Sequence, residues 1–143
     1  MTAFIKIKVT GKPVAKARPR FARRGKFVKT YSDQETEESR FYMLAKEQLY
    51  KRDVIPGPIG MLAIFEFERP KSHFGTGRNA GRLKPSAPGH HIKKPDGSNL
   101  VKFVEDVLNG LAWADDSQIV DLTVVKRFAA QAATTLYITE LED

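Results

Sequence analysis

Apolar and polar positions alternate strictly at the start of the chain, where Ile5, Ile7 and Val9 are separated by Lys6 and Lys8. A period of two is the mark of a half-buried strand. The period then changes. Phe41, Leu44, Ala45 and Leu49 recur at i, i+3, i+4 and i+8, the stripe of an amphipathic helix. Met61 to Glu68 returns to alternation, with Ala63, Phe65 and Phe67 on one face and Glu66 and Glu68 on the other. Leu100, Phe103, Val104, Val107 and Leu108 form a second helical stripe from Ser98 to Asn109, with Asn109-Gly110 as its C-terminal stop. Two further strands are expected, Ile119 to Val125 (Val120, Leu122 and Val124 inward) and Thr135 to Thr139 (Leu136 and Ile138 inward). Ala129 to Ala133 should join them as a hairpin. The order strand, helix, strand, helix, strand, strand predicts one α+β domain over residues 1–143. Its sheet should be small and mainly antiparallel, with two main helices packed on it.

Local chemistry fixes the ends of these elements. Ser32 and Glu35 have capping-box spacing, which starts the first helix near Ser32 and carries it to about Lys51. Glu35, Glu37 and Glu38 suit the positive end of that helix dipole, so they are expected to serve the helix and not a metal. Pro56-Gly57-Pro58 breaks the chain, and Pro70 to Pro95 is a long loop carrying all three histidines, His73, His90 and His91. Adjacent His90 and His91 are expected to be solvated or to touch phosphate. Trp113 is expected in the core or at its rim.

Charge adds a partner class. The net charge of +7 favours encounter with polyanions. Gly11 to Tyr31 concentrates eight Lys or Arg residues with no acid, and Phe21, Phe27 and Tyr31 are interleaved among them. Lys12, Lys16, Arg18, Arg20, Arg23, Arg24 and Lys26 are therefore candidate DNA-phosphate contacts, with Lys93 and Lys94 further on. The aromatics are able either to stack on bases or to anchor the segment inward. Absence of cysteine excludes disulfides, thiolate metal sites and a cysteine nucleophile, and is compatible with a reducing cytoplasm. No apolar run approaches the roughly 20 residues of a membrane span, so no membrane partner is expected.

Against this basic background, carboxylates gather in KKPDGSNLVKFVEDVLNGLAWADDSQIVDL, from Lys93 to Leu122. Asp96 lies at the mouth of the second helix, Lys102 follows within it, and Asp116 precedes a strand. If strand and helix are neighbours, the two aspartates offer hard oxygen ligands to Mg²⁺, with water and substrate phosphate completing its shell. Lys102 would then neutralise charge on the phosphorane or position the water. The same residues also suit a plainer arrangement: Asp96 capping a turn, Lys102 and Asp106 as an exposed ion pair, Asp115-Asp116 as a solvated turn.

This run closely resembles the signature of the RusA family of Holliday-junction resolvases, K-P-D-x-D-N-L-x-K, then D-x-L-N-G, then W-x-D-D-x-Q-(I/V). GKPVAKARPRF resembles that family's basic segment after the first strand. The resemblance implies a compact α+β homodimer acting on branched DNA, without a small-molecule cofactor. Such proteins resolve four-way junctions by paired Mg²⁺- or Mn²⁺-dependent nicks, as crossover junction endodeoxyribonucleases of DNA recombination and repair. They work in the bacterial cytoplasm, and many are encoded by phages or prophages. It further implies that Asp96 and Asp116 bind metal with Asp115 assisting at the same metal, that Lys102 is catalytic and that Asp106 fills a matching acidic position. Ser98 departs from the pattern, standing where the family usually has a second aspartate. Three consequences are open: Ser98 holds a metal-bound water with Asp106 or Asp115 compensating, the enzyme is slow, or it binds junctions without cutting. Ser98 also suits an N-cap.

Overall fold

The computed structural model describes residues 4–17, 20–24, 27–31 and 35–143, with the backbone alone defined for 20–24 and 27–31. Six strands and two helices follow in the order β1 (Phe4–Thr10), β2 (Arg20–Arg24), β3 (Phe27–Tyr31), α1 (Glu35–Gln48), β4 (Ile59–Glu68), α2 (Gly97–Leu108), β5 (Ile119–Ala129) and β6 (Ala133–Glu140). The fold is α+β, as the periodicities require. Four strands form one sheet in the order β1-β6-β4-β5, in which only the β4–β5 pair is parallel. The basic segment contributes a separate antiparallel hairpin, β2–β3. Arg18, Lys26 and the Ser32 end of the expected capping box lie outside the described residues, as do the side chains of Arg20, Arg23 and Arg24.

Register explains which face is buried. Ile7, Leu136, Ala63 and Val124 lie across the four strands in one row, and Ile5, Ile138, Met61 and Leu122 in the next. Both helices cover this face. Phe41 and Ala45 of α1 and Leu100, Phe103, Val104 and Leu108 of α2 join Ile7, Met61, Phe65, Leu136 and Ile138 in one cluster. Phe41 and Phe103 meet edge to face, with centroids 5.6 Å apart, which locks α1 to α2. Trp113 is fully buried beneath the end of α2.

The expected β5–β6 hairpin does not form, because β4 lies between the two strands. The error is physical. Crossing one intervening strand spans about 9.6 Å, and an extended chain from Ala129 to Ala133 reaches roughly 13 Å. A short link therefore suits either topology. Leu122 and Val124 do face the helices, yet on an edge strand they remain 42% and 37% exposed. Val120, expected inward, is 66% exposed, beside a register shift where the chain passes Ile59 and Gly60.

Within 70–95 two short 3₁₀ turns, Lys71–His73 and Gly77–Asn79, punctuate the chain. Its end pairs with β5, where Phe128 N–H donates to Gly89 O at 2.9 Å and His91 N–H to Lys126 O at 3.1 Å. The His90-His91 expectation fails for His91. Its half-buried ring stacks on Phe67 at 3.9 Å and 15°, an apolar contact available only because the pairing with β5 turns it inward. No helix among the described residues is long and apolar enough to cross a membrane.

Candidate active site

Helix α2 begins one residue earlier than the Ser98 start. Asp96 keeps extended backbone angles (φ −68°, ψ 144°) and is the N-cap, so its carbonyl accepts from Leu100 N–H at 3.1 Å. Ser98 is therefore inside the first turn and not the cap. Asp96 uses only its backbone for this purpose. Its side chain makes no capping hydrogen bond, which leaves an exposed carboxylate next to the free amides of the helix start. Lys16 N–H donates to Asn99 O at 2.9 Å, fastening the basic segment alongside that first turn.

Two residues four apart on α2 have separate partners. Lys102 is exposed and its charge acts on Glu105. Asp106 instead binds Lys16 at 3.0 Å, and Glu38 of α1 lies 3.7 Å from the same ammonium. The Asp106 hydrogen bond is the main cause of an upward pKa shift in Lys16, outweighing its partial burial. The structure thus gives Asp106 a tethering partner, and it gives Lys16 two carboxylates as neighbours.

The Asp115-Asp116 pair sits on a 3₁₀ turn, Asp116–Gln118, held from both sides. Asp115 caps it, its carboxylate accepting from Ser117 N–H at 3.2 Å and from the Ser117 hydroxyl. These bonds lower the Asp115 pKa, the hydroxyl contributing most. Gln118 Oε1 accepts from Ala114 N–H and Asp115 N–H at 2.9 and 3.0 Å. Its Nε2 donates to Ile55 O and Gly57 O at 2.8 and 3.0 Å. One amide thereby satisfies four backbone groups and fixes the turn against the Pro56-Gly57-Pro58 break.

That fixture aims Asp116 at α2. Its carboxyl group meets Glu105, whose pKa is raised first by burial, then by the charge of Asp116 and a hydrogen bond with it, while Lys102 opposes the shift. Glu105 was not among the residues singled out from the sequence, although its spacing carries a signal. It follows Ser98 by two helical turns and Lys102 by one, so the three share a face.

The structure therefore brings Asp116, Glu105 and Lys102 together near the middle of α2, and places Asp96 and Ser98 at its start. The helical rise of about 1.5 Å per residue separates Asp96 from Glu105 by roughly 13 Å along the axis. Among the described residues no three of His, Asp and Glu form a ready cage for an ion. Mg²⁺ does not require one, since it is usually bound through one or two carboxylates with water and substrate phosphate. Two crowded carboxyls, one with a raised pKa, are a donor set that a hard cation relieves, so the residues present fit the group. Lys12, Lys93 and Lys94 are exposed around the start of α2, and Lys126 Nζ secures the Lys93 carbonyl at 2.6 Å.

Comparison with known proteins bears on the same residues. The family model described as endodeoxyribonuclease RusA matches residues 10–139. The chain is also 33% identical over 143 residues to "Uncharacterized protein YqaN" of Bacillus subtilis (strain 168), covering 96% of each chain.

Proposed function

Since the chain belongs to the RusA endodeoxyribonuclease family, we propose that it is a divalent-metal-dependent, structure-selective nuclease that resolves four-way DNA junctions by paired symmetric nicks. The observation that carries this reading is the family match over residues 10–139, with Asp96 at the start of α2, Lys102 along it and Asp116 on the turn that follows it. Asp116 and Glu105 would hold Mg²⁺ or Mn²⁺, with Asp96 presenting its carboxylate from the helix start. The bound ion supplies Lewis-acid polarisation of the phosphodiester and a more acidic water. Lys102 neutralises charge building on the phosphate, and the free amides of the first turn of α2 add a further anion contact. Asp115 shapes the turn that presents Asp116. Asp106 holds Lys16, and through it the basic segment, against α2.

Lys12, Lys93 and Lys94 provide sequence-independent phosphate contacts, joined by the basic hairpin residues. Paired nicks require two sites related by a two-fold axis, hence a homodimer. Val120, Leu122 and Val124, exposed along the edge strand β5, favour such a partner.

Ser98 favours a second reading, in which the chain binds junctions without cutting them. It supplies no charge where the family pattern has an aspartate. Cleavage of a labelled four-way junction in Mg²⁺ or Mn²⁺ separates the two. The first reading expects symmetric nicks that are lost in Asp116→Asn and Glu105→Gln. Junction binding without nicks, with cleavage appearing in Ser98→Asp, would establish the second. Neither cleavage nor preference for junctions over duplex sinks both.

A further inference from the structure

At the end of the sheet where β4 and β5 stop and β6 begins, the chain forms an open-mouthed cavity of about 760 Å³. This lies well inside the ~300–1,000 Å³ range of small-ligand sites. Its floor is aromatic because of strand register: Phe67 and Phe128 lie directly opposite one another on β4 and β5. His91 lies flat on Phe67 and 5.2 Å from Phe128 at 60°, and His73 meets Phe128 edge-on at 4.7 Å. Lys12 and Lys93 line the same hollow. Apart from Glu68 its lining carries no acid, so it is no match for a cation; its chemistry is that of a flat aromatic ligand with negative charge beside it.

Two further observations narrow the ligand. His91 Nδ1 is buried and has no hydrogen-bond partner among the described residues. Burial, followed by the nearby charge of Lys126 and then of Lys93, pushes the His91 pKa down, which favours the neutral ring against Phe67. The lining of the cavity is also tied through the chain to the start of α2. Lys93 lies three residues before Asp96 in sequence, Lys126 Nζ binds its carbonyl at 2.6 Å, and Gly97 packs against Val124 and Lys126 so closely that an added Cβ would lie 3.2 Å from Val124. A group held in the cavity is thereby held at a fixed offset from the start of α2.

We propose that this cavity receives one unpaired nucleobase of branched DNA, held against His91 and Phe128, which Phe67 backs from the core, with Lys12 and Lys93 on the flanking phosphates. The inference rests on the nuclease reading above and adds a specificity element to it. Bases at the crossover of a four-way junction can leave the stack at less cost than bases within a duplex, and aromatic platforms hold such bases. Duplex DNA offers none, so the cavity would discriminate between the two and set which crossover base lies beside the carboxylates.

The test pairs base deletion with wall substitution. Junctions carrying a single abasic residue at each crossover position in turn are titrated, without added metal, against the native protein, His91→Ala and Phe128→Leu. An undamaged junction and a linear duplex serve as references. One abasic position should weaken native binding about tenfold. Each variant should bind the undamaged junction about tenfold more weakly, lose no further affinity at that position, and bind duplex as the native protein does. Circular dichroism reports whether each variant folds. If neither does, iodouracil placed at each crossover position of native complexes should cross-link to the peptides carrying His91 or Phe128. Junction preference with no sensitive position, an abasic penalty undiminished in folded variants, or cross-links elsewhere would overturn the cavity inference alone. Absence of any junction preference would overturn the nuclease reading, and this inference with it.

Discussion

The indole Nε1 of Trp113 donates a 2.7 Å hydrogen bond to Oδ1 of Asn109, the residue that ends α2. The bond closes a tight return in which Gly110 takes a φ of 82°, accessible at little cost to glycine, and Gly110 N–H donates to Trp113 O at 2.6 Å. It gives a fully buried aromatic ring a partner for its only polar atom. It also sets the direction from which the chain approaches the Asp115–Gln118 turn. Asn109→Ala removes the acceptor and leaves the indole unsatisfied, which should cost about 1–3 kcal/mol. Urea unfolding should show a lower midpoint at an unchanged slope.

Gln118 is expected to matter more for the position of Asp116 than for global stability. Gln118→Glu keeps the shape but turns an acceptor oxygen toward Ile55 O and Gly57 O, where the native amide donates. The Asp115-Asp116 turn should loosen. Metal-dependent cleavage of a four-way junction should fall at least tenfold, while thermal melting shifts by only a few degrees. An unchanged rate would mean that the turn does not depend on this amide.

For Glu105 the sign can be worked out. Its folded pKa lies above its ordinary value of 4.5, so the folded state resists its ionisation. The stability it contributes is complete below that ordinary value and is lost as pH rises through the raised one. Glu105→Gln cannot ionise. In the absence of metal it should melt higher than the native protein at pH 7, with the difference closing as pH falls toward 4. Adding Mg²⁺ should raise the native melting temperature more than that of the variant. Differential scanning calorimetry across pH and metal concentration checks both.

His91 works in the other direction. Its folded pKa is lowered, so its contribution is present above the ordinary histidine value of about 6.5 and is lost as pH falls toward the depressed one. His91→Phe keeps an aromatic ring on Phe67 and removes the titration. The native protein should lose stability between neutral and mildly acidic pH, and the variant should lose less. Parallel pH–stability curves for the two would contradict this.

Asp106 and Asp116 should part company in kinetics. Asp106 already has a cation at 3.0 Å in Lys16, and at this partly exposed position the pair should contribute roughly 0.2–1 kcal/mol. Asp106→Asn should leave most cleavage in place and weaken DNA binding slightly by releasing the basic segment. Asp116→Asn should abolish cleavage and leave junction affinity nearly intact. Equal losses in both would return Asp106 to the reacting centre.

The two helices and the separate strands of the large sheet were legible because each follows one unbroken period: Phe41, Leu44 and Ala45 on α1, Leu100 to Leu108 on α2, Ile5 to Val9 on β1. The partner of β5 was not legible, since a short link allows either neighbour and nothing local encodes which strand intervenes. Side-chain partners were also hidden. Lys102 and Asp106 have the spacing of a pair, yet Asp106 turns to Lys16, which the first stretch of chain delivers from far away in sequence. Asp116 was visible in its motif. Glu105 was not, because an acid in a helix looks like any solvated acid until a second carboxylate is folded against it.

The pairing of Phe4 with Thr139, and of the rest of β1 with β6, has a consequence for synthesis. β6 joins β1 to β4, so until its residues leave the ribosome the early strands have no hydrogen-bonding neighbour on that side. Such long-range closure slows folding, and the nascent chain passes through an exposed, association-prone stage. The net charge of +7 is also suited to keeping newly made copies apart by mutual repulsion during that interval.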